Sequence, residues 1–328
     1  MIDWLDGVLR GFINPYYYGI LVTIGINIIL ALSLNLVTGF TGQLHLGHAA
    51  FMAIGAYTAG LLSTKAGFGF AGAVIVAGLV AAVAGVIVGL PTLRLRGDYL
   101  AIATLGFGEI VRITLLNLDI TGGPFGLRGI PRQTNLPIVI LAVLFSFLVL
   151  RSLVNSRMGR ALIAIREDEV AAQTMGIDTT RLKVTSFTVA AFFAGIAGAL
   201  FAYWFRYLNP SSFGFMVSIE LLAMVVFGGL GNLLGSVLGA GVMTYLPEFL
   251  RTVAPAIAER RLVFYGALLV IVMILRPNGL LGTSSEQGWL EIWLARRRSQ
   301  GAAGRVGSGP GAGSEAPPAT GGAGHGPA

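Results

Sequence analysis

Few side chains in this chain could do chemistry, and their types and spacing narrow that chemistry quickly. His45 and His48, three apart, could share a helix face as metal ligands, but the third histidine is His325 in the C-terminal tail and cysteine is absent. A zinc-type site needs three or four protein ligands, so no metal is expected. Glu109 and Arg112 also stand three apart, inside an apolar run, where each can partly neutralise the other. Ionisable residues within a span usually find partners, so the two read as a structural intramembrane ion pair. The remaining charge is concentrated in SRMGRALIAIREDEVAAQTMGIDTTRLK, from Ser156 to Lys183. There is no GxxxxGK(S/T) loop, no HExxH and no GxSxG set between a strand and a helix, so this chain is not expected to be an enzyme.

The charged stretch has its own internal order. Met158, Ala161, Leu162 and Ile165 recur at helical spacing on one face, with Arg157, Arg160 and Arg166 elsewhere. A second short helix is predicted from about Asp168 to Met175. Glu167, Asp168 and Glu169 lie near its start, where the helix dipole favours negative charge, and Gly176 supplies the left-handed residue that stops it. The stretch therefore reads as a rigid helix pair held in water, carrying Arg181, Lys183 and Asp178 at its far end.

What surrounds it is greasy. Of 328 residues, 55% are hydrophobic and only 11% charged, against about a quarter charged in soluble domains. The fold class expected is an all-α polytopic membrane protein with about nine transmembrane helices. Residues 1–15 form an interfacial segment, 16–283 the membrane domain with its charged loop at 156–183, 284–298 an amphipathic basic anchor at the lipid surface, and 299–328 a disordered Gly/Ala/Pro/Ser tail. Spans are expected over Gly19–Val37, Phe70–Leu90, Tyr99–Leu116, Leu136–Leu150, Thr185–Phe205 and Leu262–Leu275, each near the length a bilayer requires. Asn27 and Asn35, inside the first, read as interhelical hydrogen-bonding groups.

Two further runs are broken by glycine. Gly39, Gly42, Gln43 and Gly47 interrupt one, and Gly228, Gly229, Gly231 and Asn232 divide Ser218–Leu246 into two spans. Irregular backbone is tolerated at membrane depth only where protein covers it or a cavity borders it, so both are placed beside a translocation path. Their likeness, GFTGQL against GGLGNL, one in each half, is the pattern of a transporter built from an inverted internal repeat.

The formal net charge of +7 does not point to nucleic acid, because the basic residues sit in short loops between apolar runs. Those loops fall on one side, which the positive-inside bias makes cytoplasmic.

Longer stretches resemble a known family: GQLHLGHAAFMAIGAY from Gly42, LRLRGDYLAIATLGFGEIVR from Leu93, TGGPFGL from Thr121, GRALIAIREDEVAAQTMGID from Gly159, FFAGIAGALFA from Phe192, SIELLAMVVFGGLGNLLGSVLGA from Ser218 and ILRPNGLLG from Ile274. Together they resemble the LivM-type permeases of branched-chain amino acid ABC importers, a family shared with LivH-type and urea or amide permeases. The resemblance implies a bacterial-type inner-membrane complex with a LivH-like second permease, two ABC ATPase subunits and an external solute-binding protein. No cofactor is then bound by this chain, ATP and Mg belonging to the ATPases. Leucine, isoleucine and valine are the implied substrates, with urea, short amides or other amino acids as the alternative; an ATP-independent channel or carrier is the competing reading. The resemblance also makes the charged loop an ATPase-coupling element. Arg157, Arg160, Arg166, Glu167 and Glu169 would hold the motor by charge, Ala171, Ala172 and Met175 would pack into it, and Gly159 and Gly176 would shape the loop. Val170 separates Glu169 from the alanines, a departure from the usual importer spacing that leaves the role of Glu169 open.

Overall fold

The computed structural model describes residues 14–92, 95, 97–253, 266 and 279–282, all of them within the compact unit formed by Met1–Ser284. Ten α-helices of six residues or more run through the described part. They are α1 (Pro15–Asn35), α2 (His48–Lys65), α3 (Phe70–Thr92), α4 (Asp98–Asn117), α5 (Leu136–Asn155), α6 (Arg157–Glu167), α7 (Glu169–Thr174), α8 (Thr179–Phe205), α9 (Phe215–Gly228) and α10 (Leu233–Val253). Among the described residues there is no strand, only an isolated bridge between Leu127 and Leu208.

Side-chain size decides which way each helix faces. On α3 the small residues Ala73, Ala77 and Ala81 are fully buried, while Ile75, Leu79, Val83, Ile87 and Leu90 form an exposed stripe. Large apolar groups outside and small ones inside reverse the soluble pattern. The arrangement suits lipid, where helices gain by close backbone approach and nothing is gained by hiding leucine. α8 is the partner of that small face and the centre of the bundle. Its Ala190, Ala191, Ala194, Ala197 and Ala199 are buried, and it packs against both α2 and α3. α1 is buried along most of its second half and packs against α5, α8 and α10.

Among the described residues, six segments are long and apolar enough to cross a membrane: 15–40, 70–91, 98–117, 136–155, 179–205 and 210–228. The chain is thus an all-α, multi-pass membrane protein. Nine spans were expected; one of the other three lies outside the described residues, and the remaining two are helices that fall short of the length or hydropathy of a simple span. α2 begins at His48, ends at Lys65 and carries Tyr57, Thr58, Ser63 and Thr64, which lowers its hydropathy. α10 keeps only Leu233–Phe249 as an apolar stretch. The expected span Leu262–Leu275, the interfacial helix over 4–13, the anchor over 284–298 and the tail lie outside the described residues, Gly266 apart.

Candidate functional site

The first broken run starts where α1 widens. Leu36–Phe40 form a π-helical turn, a rare geometry that often marks functional positions. Thr41 closes it by donating its backbone N–H and its hydroxyl to the Leu36 carbonyl, at 3.2 and 2.9 Å. Residues 42–47 then run without helix to α2. The second break lies between α9 and α10, where Gly229 and Gly231 take φ of 119° and 76°. Residues 279–282 cover this break: Leu280 N–H donates to the Phe227 carbonyl at 3.0 Å, and Asn232 Nδ2 donates to the Gly282 carbonyl at 3.3 Å.

The two breaks meet. Asn35, fully buried at the last turn of α1, accepts from the Gly231 N–H at 2.9 Å. Its Nδ2 donates to the Asn232 carbonyl at 3.0 Å and to Ser236 Oγ at 2.7 Å. The amide thereby satisfies the Gly231 N–H, which the break would leave bare in a low-dielectric interior, and adds a second donor to an Asn232 carbonyl already bonded to the Ser236 N–H. The approach is close enough that any side chain at Gly39 would collide with the Gly231 backbone nitrogen.

The charged loop is the predicted helix pair. Ser156 caps α6, accepting from the N–H of Met158 at 3.1 Å, and the extended backbone of Asp168 separates α6 from α7. Asp168 in turn caps α7, accepting from Val170 and Ala171 at 2.8 and 3.0 Å, and Gly176 ends the turn with φ of 82°. Asp178 starts α8 by accepting from the Arg181 N–H at 3.0 Å.

Arg166 joins the loop to the breaks. Its Nη1 donates to the Gly39 carbonyl at 2.9 Å, at the end of the π-turn, where an unpaired carbonyl and the negative end of the helix dipole favour a cation. A β-carbon built on Gly231 would meet the same Nη1 at 2.7 Å, and one built on Gly42 would meet Arg166 Cγ at 2.9 Å. Below it, Lys183 of α8 pairs with Glu169 at 2.5 Å, the lysine side chain 6% exposed and the carboxylate 21%. Gln43, Arg166, Glu169 and Lys183 line a cavity of about 110 Å³.

This geometry redistributes the roles expected for the loop. Arg166 and Glu169 are engaged inside the chain, and Ala172 is buried, so these three do not form an outward contact surface. Gly159 is also buried, against the Val154 backbone. Outward-facing are Arg157, Arg160, Glu167 and Ala171, together with Met175 at 82% and Val170 at 57% exposure. Val170, which breaks the expected spacing in the sequence, is thus an exposed apolar side chain on α7.

The other expected residues are placed as follows. Gln43 is buried and its Oε1 has no hydrogen-bond partner among the described residues. Gly47 lies against the backbone carbonyl of Thr104. His45 is buried between Phe51 and Phe187, its ring centroid 5.5 and 5.1 Å from theirs. His48 shares a 2.8 Å hydrogen bond with Ser33, and no cluster of three potential metal ligands occurs among the described residues. Gly228 packs against Gly235 across the α9–α10 turn. Glu109 and Arg112 pair at 2.7 Å, away from the loop. Sequence reasoning took Asn35 for a general interhelical contact; its signal was an amide one turn before the first glycine break.

Known proteins align with this arrangement. A family profile described as "Branched-chain amino acid transport system / permease component" matches residues 16–273. The high-affinity branched-chain amino acid transport system permease protein LivM of Salmonella typhimurium is 42% identical over 297 residues, covering 80% of this chain and 69% of that protein. LivM of Escherichia coli K12 is 41% identical over the same extent. The LivH permease of E. coli K12 is 34% identical over 127 residues, covering 39% of this chain and 40% of that one. No solved structure matches. With most of the membrane domain matched, and with both glycine breaks and the loop that braces them inside the matched region, the chain belongs to the branched-chain amino acid transport system permease family.

Proposed function

We propose that this chain is one permease of an ATP-driven importer of branched-chain amino acids in a bacterial-type inner membrane. It would form half of the translocation path beside a LivH-like second permease. Two ABC ATPase subunits, which bind ATP and Mg, supply the energy, and an external binding protein delivers the substrate. The relatives' names, and their occurrence as LivM and LivH, support the substrate class and the pairing of permeases.

The observation that carries the motor-driven reading is the division of labour in the loop. One side of the α6–α7 pair presents Arg157, Arg160, Glu167, Val170 and Met175 outward, while Arg166 on the other side holds the Gly39 carbonyl. An apolar residue 82% exposed on a polar loop loses nothing by docking into a partner's groove. A pull on that outer face would reach both breaks through Arg166 and Asn35, so closure of the motor could tilt α1 and α10 together.

The test is co-purification of the ATPase subunits with this chain carrying Val170→Asp and Met175→Asp. Both side chains are exposed, so the variant should insert and fold normally yet lose the ATPase. Retention of the ATPase by the variant would refute the docking face, and amino acid uptake without ATP by the wild-type chain alone would refute the motor.

A further inference from the structure

Glu109 and Arg112 sit in the middle and second half of α4, with Arg112 Nε and Nη2 each 2.7 Å from Oε2 of Glu109. Their side chains remain 33% and 28% exposed. α4 is, with α5, the least covered of the candidate spans, 17% of its apolar window being buried. The most exposed large apolar residues of α4 are Tyr99, Ile102, Ile110 and Ile113, the pair lies half-buried beside them, and a β-carbon placed on Gly106 would have nothing within 4 Å.

The pair itself gains nothing from hydrocarbon. A charge near the bilayer centre costs at least about 2.5–3.5 kcal/mol even on the most lenient insertion scales, and mutual pairing only partly offsets that. Cover by an apolar protein surface would strip the pair of water at a similar penalty. A water-filled passage leaves it solvated. The pair is therefore better served beside water than beside lipid.

We propose that Glu109 and Arg112 form a dipolar station in the translocation path for a zwitterionic α-amino acid, the carboxylate of Glu109 taking the substrate ammonium and the guanidinium of Arg112 its carboxylate. The proposal rests on the importer reading above and adds the residues that handle the substrate. A zwitterion has no net charge but a large dipole, so a path lined with one sign of charge would hold one end and repel the other. An adjacent opposite pair can exchange its own contact for two contacts to the substrate, with no net charge left uncompensated. An apolar side chain on the substrate would meet the Ile102–Gly106 part of the same helix.

The absence of cysteine permits a direct test, since Gly106→Cys introduces the subunit's only thiol. In the complete complex in proteoliposomes, a membrane-impermeant charged methanethiosulfonate reagent should modify it, and amino acid delivered by the binding protein should slow the reaction. Ile87→Cys, on the exposed apolar stripe of α3, should stay unmodified. If Gly106→Cys is as inert as that control, this part of α4 is covered and the proposal is overturned. A second variant separates handling from structure: Glu109→Gln with Arg112→Gln removes both charges but keeps hydrogen-bonding side chains of similar shape. It should assemble and hydrolyse ATP like the wild type while uptake falls by about tenfold or more, in line with the loss of charged hydrogen bonds. Undiminished uptake would make the pair structural only. Should the wild-type complex itself fail to move amino acids with ATP, the importer reading fails instead, a result distinct from either of these.

Discussion

The guanidinium of Arg166, at the end of α6, donates to the carbonyl of Gly39 at 2.9 Å, and the backbone of Gly231 packs against the same nitrogen. A single side chain from the polar loop thus touches both breaks in the membrane helices. Motion of the loop and motion at the breaks cannot be independent while this contact holds.

A double-mutant cycle on Arg166 and Gly231 tests that linkage. Gly231→Ala places a methyl 2.7 Å from Nη1, closer than side chains tolerate, and imposes a left-handed alanine, a strain of about 1–2 kcal/mol. Arg166→Ala removes a charged hydrogen bond contributing about 1.5–3 kcal/mol. Each single change should lower amino acid uptake per ATP hydrolysed while leaving the ATPase bound. The double variant should keep the backbone strain of Gly231→Ala but escape the clash with Nη1, so its loss should fall short of the sum of the two single losses; a coupling above about 0.5 kcal/mol is expected for residues that touch. Simple additivity would mean that Arg166 does not link the breaks.

Asn35 should matter more than Asn27 although the two lie on the same helix. Asn35 makes three hydrogen bonds, to Gly231, Asn232 and Ser236, and is fully buried. Asn27 donates once, to Thr244 Oγ1 at 2.9 Å. Asn35→Leu strands the Gly231 N–H, while the Asn232 carbonyl keeps the Ser236 N–H, and is expected to cost about 1–3 kcal/mol for the stranded donor. Asn27→Leu should cost nearer the roughly 0.6 kcal/mol average for interhelical bonds in membranes. Thermal unfolding of the purified complex in detergent would order the two; a larger effect of Asn27→Leu would contradict the geometry.

Much of this architecture could be read from residue order because it depends on local chemistry. Helix pairing at the loop follows from Ser156, Asp168 and Asp178, three caps that act within three residues of themselves. Each glycine break is announced by its own glycines. Less legible was anything decided across the fold. That Arg166 turns inward and Arg160 outward depends on a carbonyl 127 positions away. That Glu169 meets Lys183 depends on the path of α8, although Glu, Asp and Lys in that loop look interchangeable as a list of charges. Hydropathy is a weak guide at α2 for a related reason: burial inside the bundle relieves that helix of the need to be uniformly apolar.

The ion pair between Glu169 and Lys183 supplies an asymmetry that a surface pair would lack. The lysine side chain is 6% exposed and the carboxylate 21%. Glu169→Gln leaves an ammonium buried without its counter-charge, the situation in which breaking a pair costs about 3–5 kcal/mol. Lys183→Met leaves a carboxylate that can turn toward water from its partly open position, and its methionine fills the vacated channel with a stem of similar length. The expected order of thermal stability is therefore wild type, then Lys183→Met close below it, then Glu169→Gln well below. Adding Lys183→Met to Glu169→Gln should restore most of what the single change lost, since no charge is then left stranded. Because the pair pins α7 to α8, the orientation of Val170 and Met175 should follow the same order, and ATPase retention on the purified chain would report it. Equal losses for the two single variants would show that the lysine reaches water in the membrane-embedded protein, and α7 would then be held by its Asp168 cap and the hydrogen bond from Gln173 to Thr179.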